Sequence, residues 1–201
     1  MVRAVLFDFD GTLTRPGALD FAAIRRAIGC PQGMPILEFI ETLDGDGAKR
    51  AALGTLDEME LEAARRSEPN DGAELTVATL AARGVRSGIL TRNSRSSVRE
   101  ALERFPTLRE GHFAAIVCRE DVQRQKPHPD GVHAAARRFG CDAGELVVVG
   151  DYVFDIEAGK RAGSHTVLLA NGTPAAALRV TPDVVIDRLP ELLDVIEKLD
   201  G

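Results

Sequence analysis

The chain has 201 residues, which suits one domain carrying an insertion or two small domains. A formal charge of −6 with one Tyr and no Trp excludes a nucleic-acid binder, which wants a basic surface and aromatic stacking platforms. No apolar run approaches bilayer length and the amino terminus enters a strand with no signal-peptide pattern, so a cytoplasmic protein without a membrane partner is expected.

Residues 2–6 are an apolar run that predicts a short buried strand, followed by Phe7-Asp8-Phe9-Asp10-Gly11-Thr12-Leu13. Two carboxylates two residues apart at a strand end resist joint ionisation. A divalent cation between them relieves that, as does a division of labour in which one carboxyl is an acid and the other an anion. Read blandly, the same residues are a surface turn. Residues 14–72 then change character and predict three amphipathic helices without a strand. The first, 19–29, sets Phe21, Ile24 and Ile28 near one face and ends at Gly29. The second, 34–43, carries Ile36, Ile40 and Leu43. The third, 48–67, carries the stripe Ala52, Leu56, Met59 and Ala63. Glu68-Pro69-Asn70-Asp71-Gly72 closes this segment as a loop.

From residue 73 the pattern alternates. Helices are predicted at 74–83, 94–105, 130–139, 156–162 and 190–199, and strands at 85–90, 113–118, 145–150 and 165–169, with a last edge strand at 183–186. Alternation of this kind predicts an α/β fold with a doubly wound, mainly parallel sheet and right-handed crossovers. Residues 1–14 and 73–201 form its core, and 15–72 are a helical insertion after the first strand. Cys30, Cys118 and Cys141 fit no metal-binding spacing and are read as reduced packing thiols.

Ligands of such sheets bind beyond the carboxyl ends of the strands. Asp8 and Asp10 end the first strand there. Thr91-Arg92-Asn93-Ser94 ends the second, just before a helix amino terminus suited to phosphate oxygens. Lys126-Pro127 lies before the fourth strand, which ends in Gly150-Asp151 with Asp155 four residues on. Singly, Thr91 reads as a turn residue and Lys126 as a solvated charge. Together, in this order, they converge on one edge.

These four motifs resemble those of the haloacid dehalogenase-like hydrolases: Asp8-Phe9-Asp10-Gly11-Thr12, Thr91 ending Ile89-Leu90-Thr91, Lys126-Pro127, and Gly150-Asp151-Tyr152-Val153-Phe154-Asp155. The resemblance spans residues 2–169, and the insertion site is similar to that of the phosphoglycolate-phosphatase-like subgroup, with a smaller cap. It implies a Rossmann-like core with a small all-helical cap, and a phosphatase working through an aspartyl-phosphate. Asp8 would be the nucleophile and Asp10 the acid and base. Mg²⁺ would be held by Asp8, Asp151 and the Asp10 carbonyl, supported by Asp155. Thr91, the Arg92 amide and Asn93, with Gly11 and Thr12, would meet the phosphoryl group, and Lys126 would steady its charge. Asp10 favours phosphate esters over the carbon–halogen cleavage of the dehalogenases, which lack it.

The implied partner is a small phosphorylated metabolite, phosphoglycolate-like or a sugar phosphate, with monomer and homodimer both open. Arg15, Arg92 and Arg95 are candidates for meeting an anionic leaving group. Two positions depart from the family pattern. Tyr152 replaces a smaller residue and either narrows the site or points outward, and His128 replaces a common Asp and is read as structural. His112, His133 and His165 show no ligand spacing. The rival readings are a phosphomutase and a non-enzymatic aspartyl-phosphate switch or phospho-ligand binding protein. Asp10 speaks against the switch.

Overall fold

The computed structural model describes residues 1–172 and 179–201. Six strands form one sheet: β1 (Ala4–Phe7), β2 (Arg86–Leu90), β3 (Ala115–Val117), β4 (Leu146–Gly150), β5 (His165–Leu169) and β6 (Val184–Ile186). Their order is β3-β2-β1-β4-β5-β6, and every pairing is parallel. The fold is therefore the expected doubly wound α/β sheet. β1 lies at its centre, with Ala4 opposite both Arg86 and Leu146.

Strand side chains alternate in direction, so the all-apolar β1 feeds two cores. Val5 and Phe7 join Val77, Leu80, Val98, Leu102, Leu192 and Ile196 from α4 (Ala73–Ala82), α5 (Arg95–Arg104) and α8 (Leu192–Asp200). Ala4 and Leu6 join Val132, Ala135, Phe139 and Ala158 from α6 (Asp130–Phe139) and α7 (Val153–Ala162). With helices on both faces, no strand needs a polar side, which is why residues 145–150 read as one apolar run. Among the described residues, no helix is long and apolar enough to cross a membrane.

The stretch after β1 forms α1 (Phe21–Ile28), α2 (Ile36–Thr42) and α3 (Asp46–Ala64). Asp20 caps α1 by accepting from the Ala23 amide, and Gly29 ends it in the left-handed conformation. These helices bury a cluster of their own: Ile24, Cys30, Ile36, Ile40, Ala52 and Leu56. The predicted stripe of α1 differs at one position, because Phe21 leaves that cluster and stays exposed in the first turn. Two linkers join the helical segment to the sheet side by side. Thr14 bridges Pro69, the Arg15 amide donates to the Glu68 carbonyl at 3.0 Å, and the Asn70 amide donates to the Leu13 carbonyl at 2.8 Å.

Candidate active site

β1 delivers Asp8 beyond the edge of the sheet, where its backbone N–H donates to the Val149 carbonyl at 2.8 Å. The chain then turns through Gly11 at φ 73°. A Cβ there would lie 2.2 Å from Asp151 Oδ2, so conformation and space both demand glycine. Gly150 meets a similar constraint, since a Cβ on it would lie 2.2 Å from Asp155 Cγ. Side-chain bulk is thus absent from the two glycines where the ends of β1 and β4 bring their carboxylates together.

Lys126 knots this centre. Its ammonium is buried and donates to Asp8 Oδ1 at 2.5 Å, to Asp155 Oδ1 at 2.6 Å and to the Leu90 carbonyl at 2.8 Å. Burial alone would lower its pKa, but the charges of Asp155 and Asp8 outweigh that and raise it, so the amine stays protonated. Asp155 is held on both oxygens, because Oδ2 accepts from the Tyr152 amide at 3.1 Å. Asp10 faces Asn93, whose Nδ2 donates to Asp10 Oδ2 at 2.5 Å. Burial and the neighbouring Asp8 push the Asp10 carboxyl up to about 7, against the lowering effect of the Asn93 hydrogen bond. Burial and the same charge crowding push Asp151 up to about 8 and Asp155 up to about 6.

The second-strand motif forms a short arch. The Thr91 amide donates to the Val117 carbonyl at 3.0 Å, and Thr91 Oγ1 accepts from the Asn93 amide at 3.1 Å. The Thr91 hydroxyl proton is thereby left to donate into the cavity. At Ser94, the cap of α5, the backbone N–H is taken by Glu60 Oε2 at 2.9 Å. Glu60 belongs to α3 and is 4% exposed. It also binds Arg119, at 2.8 Å to Nη1 and 3.1 Å to Nη2. The helix amino terminus expected to receive phosphate oxygens therefore already holds a carboxylate from the helical segment.

Asp8, Asp10, Gly11, Thr91, Arg92, Asn93, Lys126, Asp151 and Asp155 line one cavity of about 430 Å³. Thr12 does not reach it. It is fully buried, and its hydroxyl has no partner among the described residues. The Asn93 side chain lies on Asp10, and the Arg92 side chain donates to the Lys126 carbonyl at 3.0 Å and pairs with Glu38. Arg15 lines the cavity but is paired with Asp71 and Glu68, and Arg95, paired with Asp121, lies outside the lining. Tyr152 is exposed at the rim, edge-on to Phe154, and His128 sits against Asp130.

Sequence reasoning passed over Glu60, Arg119, Asn70 and Asn171. Asn70 Nδ2 donates to the Thr12 carbonyl and to Asn171 Oδ1, each at 3.0 Å, while Asn171 Nδ2 donates to the Gly11 carbonyl at 2.8 Å. These amides clasp the turn after β1. Glu60 alone left a visible mark, an acid four residues after Leu56 and therefore inside an apolar stripe.

One oxygen from each of Asp8, Asp151 and Asp155 lies within 4.8 Å of the others. Three hard oxygen donors crowded together, whose like charges a cation would offset, fit Mg²⁺. The Asp10 carboxylate stands outside that cluster, facing Asn93.

Residues 14–169 match the family model described as haloacid dehalogenase-like hydrolase. The chain belongs to that family. It is 32% identical to an uncharacterized hydrolase of Saccharomyces cerevisiae, over 99% of this chain and 93% of the relative. It is 30% identical to the N-acetylmuramic acid 6-phosphate phosphatase of Pseudomonas aeruginosa, over 98% of this chain and 96% of the relative. The fold matches the crystal structure of a hydrolase from Pseudomonas syringae with TM-score 0.83 at 22% identity, covering 98% and 99% of the two chains. The protein is a phosphatase of the haloacid dehalogenase-like family.

Proposed function

We propose that this phosphatase hydrolyses a small phosphate monoester in a Mg²⁺-dependent reaction through an aspartyl-phosphate on Asp8. The observation that carries the reading is the asymmetry of the two motif-one carboxyls. Lys126 holds one oxygen of Asp8 and leaves the other without a protein hydrogen bond among the described residues. Asp10 sits against Asn93 with its carboxyl raised to about 7, poised to give or take a proton near neutrality.

Asp8 attacks phosphorus as the ester oxygen departs, and Asp10 delivers its proton to that oxygen. The same Asp10, now ionised, takes a proton from the water that attacks the aspartyl-phosphate and regenerates Asp8. The Thr91 hydroxyl and the Arg92 amide donate to the phosphoryl oxygens. Lys126 offsets negative charge on Asp8, and Asp155 holds Lys126 in register. Mg²⁺ held by Asp8 and Asp151, with Asp155 beside them, would neutralise the repulsion between a carboxylate and a phosphate.

We further propose that residues 15–72 act as a cap over this chemistry and that a phosphoglycolate-like ester or sugar phosphate is the size of substrate admitted. A cavity of about 430 Å³ supports a small metabolite. The test is phosphate release from a panel of small esters, with and without Mg²⁺, beside an Asp10→Asn variant. Metal-dependent release, with kcat reduced roughly 10²–10⁴-fold in the variant, is expected. An Asp10→Asn enzyme as fast as the wild type would sink the acid–base assignment.

A further inference from the structure

To the cavity that the catalytic carboxylates line, the helical segment contributes Leu19, Phe21, Ile36, Leu37 and Leu56. Phe21 is 54% exposed and Tyr152 58% exposed, and both of these large side chains line the cavity. Open apolar surface at the mouth of a site is best covered by a ligand of like character.

Five cationic side chains line the same cavity, and each is engaged. Lys126 holds Asp8 and Asp155. Arg119 holds Glu60 and Asp57, and Arg15 holds Asp71 and Glu68. Arg25 is turned onto the Cys30 sulfur and the carbonyls of Pro31 and Met34. Arg92 lies 5.2 Å above the Phe154 ring and is paired with Glu38 of α2. A second anionic group on the substrate would have to displace one of these partners to gain a cation of its own.

We infer that the leaving group is uncharged and turns an apolar or aromatic face to the helical segment, with Glu38 enforcing the choice by neutralising Arg92. The inference rests on the proposed phosphatase reaction and chooses among its leaving groups, against a carboxylate such as that of phosphoglycolate.

The test compares benzyl phosphate with phosphoglycolate in Mg²⁺, two esters whose leaving alkoxides have comparable basicity. The expected result is a kcat/KM at least about 10-fold higher for benzyl phosphate. Phe21→Ala, at an exposed position that puts no burial at risk, should narrow the gap by raising KM for benzyl phosphate. Glu38→Gln, which frees Arg92, should raise phosphoglycolate turnover. Phosphoglycolate turned over as well as benzyl phosphate would overturn the inference, as would a selective loss of its turnover in Arg25→Gln, which would make Arg25 an anion site. Release from neither of these two, with release from other esters of the panel, would also overturn the inference, whereas release from no ester of the panel would strike the phosphatase reaction on which it rests.

Discussion

Burial and Asp8 set the working range of Asp10, and the short contact from Asn93 Nδ2 tempers it. A hydrogen bond donated to a carboxylate favours its ionised form, so Asn93 lowers a pKa that burial and Asp8 raise. The acid role in the first step needs Asp10 protonated, so activity should fall as pH rises through its pKa. Asn93→Leu removes the lowering contact, and the alkaline limb of kcat/KM should then move to higher pH. A limb that stays in place would mean that another group sets it. The Asp10 and Asn93 motifs were both legible in the chain, but their contact was not. They lie 83 residues apart, and only the pairing of β1 with β2 makes them neighbours.

Among elements, α3 against α5 is the joint that fixes the helical segment to the sheet. Glu60 on α3 satisfies both the Ser94 amide at the start of α5 and the Arg119 guanidinium. Arg119 also donates to the Arg92 carbonyl at 2.9 Å, tying the joint to the arch beside the cavity. Glu60→Ala would leave a largely buried guanidinium with only the half-exposed Asp57 as a carboxylate partner. Breaking a buried pair costs about 3–5 kcal/mol, and the remaining Asp57 places this loss near about 3 kcal/mol. Chemical denaturation should show it. The Glu60→Ala/Arg119→Leu double variant should recover part of the loss, since it buries no unpaired charge. Helix periodicity revealed α3 and its stripe but read Glu60 as nothing special, because an acid on an apolar stripe has meaning only once its partner is known.

For the whole molecule, the carboxylate centre links stability to pH and to metal. Asp10, Asp151 and Asp155 all have carboxyls raised above their unfolded values. The stability they contribute is fully present below about pH 4, the unfolded carboxylate range, and is lost as pH rises through about 6 to 8 in the metal-free protein. A cation that binds the ionised cluster reverses that loss. Added Mg²⁺ should therefore raise Tm more at pH 8 than at pH 5, and a chelator should abolish the difference. A Mg²⁺-induced shift that is the same at both values would show that these carboxyls do not hold the ion.

What could be read from the chain is what short-range chemistry encodes. Apolar runs of strand length, helical stripes, and Gly29 and Gly140 as helix ends sufficed for the parallel sheet and its helices, and four polar motifs marked the strand ends. Those features depend on neighbours within a few residues, so they survive without three-dimensional context. The assignment of partners does not. Lys126 reaches Asp8 across 118 residues, Asn70 reaches Asn171 across 101, and Arg92 pairs with Glu38 across 54. A charged side chain carries no local signal of which opposite charge will neutralise it, and whether it is free for a substrate depends on that choice. Tertiary packing made the choice. It turned Arg15, Arg92 and Arg95 from candidate substrate ligands into paired groups and left Phe21 open to the cavity.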